Sequence, residues 1–326
     1  VTRPPALLVL RALGIGDLVT SVPALRGLRA AYPRHRLTLA APAWLAPLVR
    51  LVGAVDAHLP VEDLTPKPWV APPPEVAVNL HGRGPQSHLL LRAAAPGRLL
   101  AFACPEAGHG DGPRWEDDEH EVTRWCRLLA WHGVPSDPSD LDLPAPPTLF
   151  AGGATVLHVG AKSGLRRWPT DRFATVARRL AADGHRVVVT GGPGEERVAS
   201  TVAGAAGLPP AAVLAGRTGP AGLAALIAHA RLLISGDTGA AHLATAFGTP
   251  SVILFGPMSP ARWGPPAGRP RHHAIWHGTR SEPGDAPSGD PHPALLRITP
   301  GEVLTSAAQV LTADRATSIG TVDARR

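Results

Sequence analysis

Short apolar runs alternate with amphipathic stretches along the whole chain. The runs at residues 6–11 (ALLVLR), 37–40, 75–80 (EVAVNL), 99–102, 155–159, 186–190 (RVVVT), 232–235 and 251–255 (SVILF) are bounded by Gly, Pro or charged residues. Unbroken apolar runs of this length read as strands buried on both faces, the signature of a parallel sheet. Between them, apolar positions recur at helical spacing over about residues 18–32, 43–52, 119–133, 171–183, 221–230 and 298–311, after Glu196, and in the Ala-rich stretch that ends at Gly248. Pro23 is awkward inside the first of these helices, so a restart is expected near Ser21 or Val22. Strand–helix alternation predicts an α/β protein of parallel sheets. Residues 67–74 (KPWVAPPP) read as a Pro-rich loop, and 264–293, rich in Pro, Gly and His without periodicity, as a mobile one. Residues 135–147 have linker composition, which divides the chain into domains at 1–147 and 148–312, with a disordered tail at 313–326.

Length and composition narrow the possibilities. A chain of 326 residues has room for two domains with full cores. No apolar stretch is long enough to span a membrane and no secretory leader pattern opens the chain, so a cytoplasmic protein is expected. Two cysteines, Cys104 and Cys126, are too few for a disulfide framework or a thiolate metal cluster. The net charge of +6 rests almost wholly on scattered arginines, and aromatics are only 4%, so a nucleic-acid surface of basic runs and stacking platforms is not expected. Such a balance does suit an acidic ligand. Abundant Ala, Arg, Pro and Gly suggest a GC-rich genome.

The chemistry-bearing residues fall at strand ends. Asp237-Thr238-Gly239 lies between an apolar run and a helix, where unpaired N–H groups and a positive dipole end suit a phosphate. His242, in the first helical turn, leans back toward the same point; the alternative is that Asp237 or Thr238 only caps the helix. Gly160-Ala161-Lys162-Ser163-Gly164-Leu165-Arg166-Arg167 combines glycines with cations between a strand and a helix capped by Thr170, a composition that fits a pyrophosphate. Gly191-Gly192-Pro193-Gly194-Glu195-Glu196 ends another strand. A carboxylate there, Glu195 or Glu196, is placed to accept hydrogen bonds from ribose hydroxyls or simply to favour the helix N-terminus. Near the start, Gly14 and Gly16 allow a tight turn before Asp17, but Val19 stands where a dinucleotide fingerprint needs its third glycine. By spacing alone Asp17 reads as a cap or first-turn carboxylate. His81 and Arg83, in the loop after 75–80, are either polar turn residues or contacts to an acceptor's phosphate or sugar. His109, His120 and His132 complete no metal spacing and read as surface residues, and Asp140 and Asp142, an Asp-x-Asp pair, lie in the linker.

The string D-T-G-A-A-H after a strand, followed by F-G-T-P-S-V, resembles the donor-site signature of glycosyltransferase family 9, the heptosyltransferase family. R-A-L-G-I-G-D-L-V-T-S-V-P-A-L is similar to the opening of those enzymes, and Arg166-Arg167-Trp168-Pro169 resembles their Lys-x-Trp-Pro element. Arg262-Trp263-Gly264-Pro265 resembles the segment that follows their last donor-site strand. The resemblance runs from about residue 6 to 312. It implies a GT-B fold, two Rossmann-like doubly wound parallel-sheet domains facing a central cleft, with the acceptor on the first and the donor on the second. It makes Asp17 the general base that deprotonates the acceptor hydroxyl, with Gly14, Gly16, His81 and Arg83 on the acceptor side. Donor contacts would come from Gly160, Lys162, Arg166, Gly191, Glu195 or Glu196, Asp237, Thr238, Gly239 and His242. Arg166 stands where the family has its phosphate-binding lysine, which keeps the charge and changes the geometry, so Lys162 stays a rival for that role.

The implied activity is inverting, metal-independent transfer of a sugar from a nucleoside diphosphate, ADP-heptose first, to a hydroxyl of a glycan, glycoconjugate or small molecule. The donor is a substrate; no cofactor or metal is expected. A lipid-linked acceptor would add peripheral membrane contact. Two rivals are a GT-B epimerase or hydrolase of a sugar nucleotide, which needs no acceptor, and an idle nucleotide-sugar-binding protein, which would not turn over.

Overall fold

The computed structural model describes residues 4–65, 72–147, 152–279 and 289–323. Residues 67–71 of the expected Pro-rich loop and 280–288 of the expected mobile loop lie outside these. The chain separates into two compact units, Val1–Leu143 and Pro144–Arg326.

In the first unit, β1 (Ala6–Leu10) leads through a Gly-rich turn to α1 (Ile15–Thr20) and α2 (Val22–Ala31). Then follow β2 (Arg36–Ala41), α3 (Ala46–Val52), β3 (Ala57–Pro60), β4 (Val76–Asn79), α4 (Gln86–Arg92), β5 (Arg98–Leu100) and α5 (Glu121–Trp131). The strands pair in the order β3-β2-β1-β4-β5, and every pairing is parallel. Leu7–Leu10 and all of β4 are buried, as a sheet covered on both faces requires. The helix break at Ser21 with Pro23 near the start of α2 spares a proline inside a longer helix.

The second unit repeats the scheme with β6 (Thr155–His158), α6 (Thr170–Ala182), β7 (Val187–Thr190), α7 (Glu196–Ala205), α8 (Pro220–Ala228), β8 (Leu232–Gly236) and α9 (Gly239–Phe247). β9 (Ser251–Phe255), α10 (Pro260–Trp263), β10 (His272–Trp276), α11 (Pro293–Arg297) and α12 (Pro300–Asp323) complete it. The order is β10-β9-β8-β6-β7, again all parallel. α9 stops at Gly248, whose φ of +66° is cheap only for glycine.

Several elements differ from the sequence reading. β3 and β10 are edge strands, only partly buried, so neither shows the unbroken apolar run that marks the central strands. β10 falls within the stretch read as a mobile loop; Ser251 Oγ and His272 Nδ1, 2.9 Å apart, help to tie it to β9. Thr170 is the first residue of α6, not its cap; Pro169 occupies that position without a side-chain bond. α12 continues to Asp323 past the expected end of order at 313. No Pro or Gly interrupts residues 302–319, and Arg271 Nε pairs with Asp314 Oδ1 at 2.9 Å.

Candidate active site

Each sheet has one place where neighbouring strands send the chain in opposite directions, and ligands of doubly wound sheets bind there. In the first unit it lies between β1 and β4, in the second between β6 and β8. The loops leaving these strands carry most of the residues singled out by the sequence.

At the first, Asp17 is the third residue of α1, and Gly14 is the cap. Asp17 Oδ2 accepts the Gly14 N–H at 3.0 Å, and Oδ1 lies 3.3 Å from Arg11 Nη2. Asp17 therefore does fill a first-turn carboxylate role, yet it is partly exposed, and its second oxygen is turned to a buried cation. Arg11 is 1% exposed. Its Nε donates to the Asp17 carbonyl at 2.9 Å, its Nη2 to Glu121 Oε1 at 2.8 Å, and its guanidinium lies 4.7 Å from the Trp125 ring centre. Glu121 also accepts from the Trp125 indole N–H at 2.9 Å and pairs with Arg124. Burial alone pushes the Glu121 carboxyl up, but Arg11 and Arg124 outweigh it and hold it below the usual glutamate range.

His81, at the end of β4, joins this group. Its Nδ1 accepts the Ala12 N–H at 3.2 Å, which leaves the ring proton on Nε2 as a donor. Burial, reinforced by the Arg11 charge, lowers its pKa to about 4, so at neutral pH it is an uncharged donor instead of a cation for a phosphate. The loop is fixed from behind by Asn79, whose Nδ2 donates to Ser87 Oγ at 2.9 Å and contacts His88 Nδ1 at 3.0 Å; the fully buried His88 meets the Phe102 carbonyl at 2.8 Å through Nε2. Arg83 is exposed two residues beyond, and Gly14 and Gly16 are partly exposed in the turn. The Asp140-x-Asp142 pair is not gathered into this group: Asp140 forms an ion pair with Arg26.

At the second switch point, Arg166 Nη1 reaches across from the loop after β6 to Asp237 Oδ2 (3.0 Å) and to the Asp237 carbonyl (3.3 Å) at the end of β8. Asp237 is 4% exposed, and its Oδ1 lies 3.8 Å from His242 Nε2. Two residues on, Trp168 is buried, donates to the Ile298 carbonyl at 3.2 Å and packs edge-on against Phe173. Thr238 is the cap of α9, but its side chain makes no capping bond, and its buried Oγ1 has no partner among the described residues. Gly239, next to it, opens α9. The Asp237–His242 turn thus offers backbone N–H groups, a hydroxyl and a paired cation at one point.

Glu195 caps α7, and its carboxylate accepts from the Ala161 N–H (2.9 Å) and the Gly192 N–H (2.6 Å), next to Gly191. It lies so close over Gly160 that a Cβ there would come within 1.6 Å of Oε2, so any side chain at 160 would displace the Glu195 carboxylate. Glu196 is exposed and accepts from the Gly194 N–H at 3.1 Å. Lys162 is exposed in the same loop as Arg166. Sequence reasoning missed Arg11, Glu121, Asn79 and His88. A charged residue closing an otherwise apolar strand was the one available signal for Arg11.

Two doubly wound parallel-sheet units with charged loops at both switch points match the GT-B class of fold. The family model for glycosyltransferase family 9 (heptosyltransferase) matches residues 116–283, slightly more than half of the chain. The protein belongs to that family and is a glycosyltransferase. It is 25% identical over 343 residues to lipopolysaccharide heptosyltransferase 2 of Salmonella typhimurium, covering 91% of this chain and 96% of that one. It is 36% identical over 112 residues to lipopolysaccharide heptosyltransferase 3 of Escherichia coli, a match spanning about a third of each chain (34% and 33%). Among solved structures, the E. coli ADP-heptose LPS heptosyltransferase II superposes with a TM-score of 0.74 at 23% identity, covering 95% of this chain and 99% of that one. Among the described residues, no helix is long and apolar enough to cross a membrane.

Proposed function

We propose that this protein transfers a heptose from ADP-heptose to a hydroxyl of a lipopolysaccharide-core-type glycan or glycoconjugate, inverting the anomeric centre without a metal ion. The observation that carries this reading is the pairing of two sites in a family 9 chain. One is an acid, Asp17, held beside His81 and Arg11; the other is a cationic, N–H-rich turn at Arg166 and Asp237–His242. Asp17 takes the proton of the acceptor hydroxyl as its oxygen attacks the anomeric carbon, and the bond to the diphosphate breaks on the opposite face. His81 Nε2–H donates to the acceptor, and Gly14, Gly16 and Arg83 line its approach. The leaving diphosphate is met by the α9 N-terminus, the Thr238 hydroxyl and Arg166, with Lys162 beside them. Glu195 faces the ribose side between the glycines at 160 and 191. A nucleotide-sugar donor places the reaction in the cytoplasm, and a lipid-linked acceptor would hold the enzyme at a membrane surface.

Thermal-shift screening against ADP-, GDP- and UDP-sugars, followed by product analysis with a heptose-deficient lipopolysaccharide acceptor, tests this reading. ADP-heptose at 100 times its dissociation constant adds about 2.7 kcal/mol of stability. Stabilisation by a GDP- or UDP-sugar alone overturns the donor assignment. Donor consumption unchanged by acceptor favours an epimerase or hydrolase.

A further inference from the structure

The charged group behind Asp17 is larger than a base requires. Arg11 is buried, and its Nη2 meets two carboxylates unequally: it is 2.8 Å from Glu121 Oε1 and 3.3 Å from Asp17 Oδ1. Glu121, itself 4% exposed, is fixed by the Trp125 indole and by Arg124. Arg124 in turn donates to the carbonyls of Glu116 and Glu119, which anchors the start of α5. The groups facing Arg11 are thus Asp17 and the Thr20 hydroxyl from α1, His81 and the Leu80 carbonyl from the end of β4, and Glu121 and the Trp125 ring from α5. One element, α5, places a counter-charge on the same Arg11 nitrogen, Nη2, that touches the candidate base.

We infer that Glu121 is a positioning residue for Asp17, holding the Arg11 guanidinium back so that it orients the carboxylate without becoming its tight ion-pair partner. This deepens the proposed function and rests on Asp17 being the base. The reasoning is electrostatic. A fully committed cation within about 4–6 Å favours the ionised carboxylate and lowers its affinity for a proton. A base so clamped accepts the acceptor proton poorly. A cation already neutralised by Glu121 still fixes the rotamer through one N–H and costs the base less of its proton affinity. The buried site makes each of these charge interactions stronger than on a surface.

The test is a 13C-carboxyl NMR titration of the full chain, with the Asp17 signal assigned by its loss in Asp17→Asn. In Glu121→Gln, Arg11 has Asp17 as its remaining carboxylate, and the Asp17 titration moves to lower pH by about one unit. The kcat measured with ADP-heptose and a heptose-deficient lipopolysaccharide acceptor falls about tenfold or more, with donor KM unchanged. Glu121→Asp keeps the charge but withdraws it by one methylene, so it gives a smaller shift of the same sign and partial rescue of kcat. If Glu121→Gln does not fold, the Glu121→Asp titration decides alone. An Asp17 titration unchanged in the variants overturns the inference. A shifted titration together with a fully active Asp17→Asn leaves the coupling standing and removes Asp17 from the role of base.

Discussion

The two switch points solve different problems with different materials. In the first unit one carboxylate, Asp17, is oriented by a chain of buried charges, Arg11, Glu121 and Arg124, each fixed by another. In the second, the proposed anion site is spread over backbone N–H groups, the Thr238 hydroxyl and Arg166, with Glu195 tying two loops together from behind. Proton transfer needs one group in one orientation, and little else can replace it. A diphosphate carries charge over many oxygens, and several weak donors can share it. Single substitutions should therefore act all-or-none at the first site and in graded steps at the second.

The largest effect belongs to Asp17→Asn. Asn keeps an oxygen for the Gly14 N–H, and Arg11 keeps Glu121, so the protein stays folded. Donor affinity is unchanged, and kcat drops at least about a hundredfold, the usual cost of losing a general base. Turnover near the wild-type rate would reduce Asp17 to a helix-start residue and dissolve the contrast between the sites.

Arg166→Ala comes next. It should weaken ADP-heptose binding by about 1.5–3 kcal/mol, the range for a hydrogen bond to a charged group. Lys162→Ala should change binding by less than about 0.5 kcal/mol, because Lys162 is exposed whereas the Arg166 guanidinium is held by buried Asp237. Calorimetry that ranks the two in the opposite order would make Lys162 the phosphate ligand.

The same contrast explains what could be read from the sequence. The second site is built from contiguous strings, Gly160–Trp168 and Asp237–His242, so its composition and its place at strand ends were visible together. The central strands were equally legible because burial on both faces leaves unbroken apolar runs, whereas β3 and β10, at the sheet edges, carry no such run. At the first site Asp17 was visible, but Arg11 and Glu121 are 110 positions apart and meet because α5 packs beside α2, which brings Glu121 and Trp125 onto Arg11. Nothing local marks Glu121, the first residue of an amphipathic helix, as different from any acid favoured at a helix start. His81 was legible as a candidate site residue but not as a neutral one, since burial sets its charge state.

A third effect concerns His158, buried as the last residue of β6, just before the Gly160–Trp168 stretch, with Nδ1 3.0 Å from Thr190 Oγ1. Burial lowers its pKa from 6.5 to about 4. The fold holds the neutral ring, so the stabilisation is complete above pH 6.5 and is lost as pH falls toward 4. Between pH 7.5 and 5 this one group should remove about 2 kcal/mol of stability. His81 contributes in the same sense, more weakly because it is partly exposed. Urea unfolding of wild type and His158→Asn at the two pH values reads this directly: the variant is less stable at pH 7.5 but loses less on acidification. Equal losses in the two proteins would show that His158 does not titrate with unfolding.

The smallest effect separates the two glutamates of the second site. Glu195 has both oxygens on backbone N–H groups, and its carboxylate lies over Gly160, between the loops that leave β6 and β7. A carboxylate has about four acceptor positions, so the two bonds it makes leave room for a ribose hydroxyl without breaking the tie between loops. Glu196 points away from that junction, toward Gly216, and accepts a hydrogen bond from the Gly194 N–H, two residues earlier in the chain. Such an exposed local contact competes with water and stabilises little. Glu196→Ala should therefore leave both unfolding free energy and ADP affinity within about 0.5 kcal/mol of wild type. A tenfold loss of ADP affinity in Glu196→Ala, measured by calorimetry with the fold intact, would move the ribose contact from Glu195 to Glu196 and leave Glu195 purely structural.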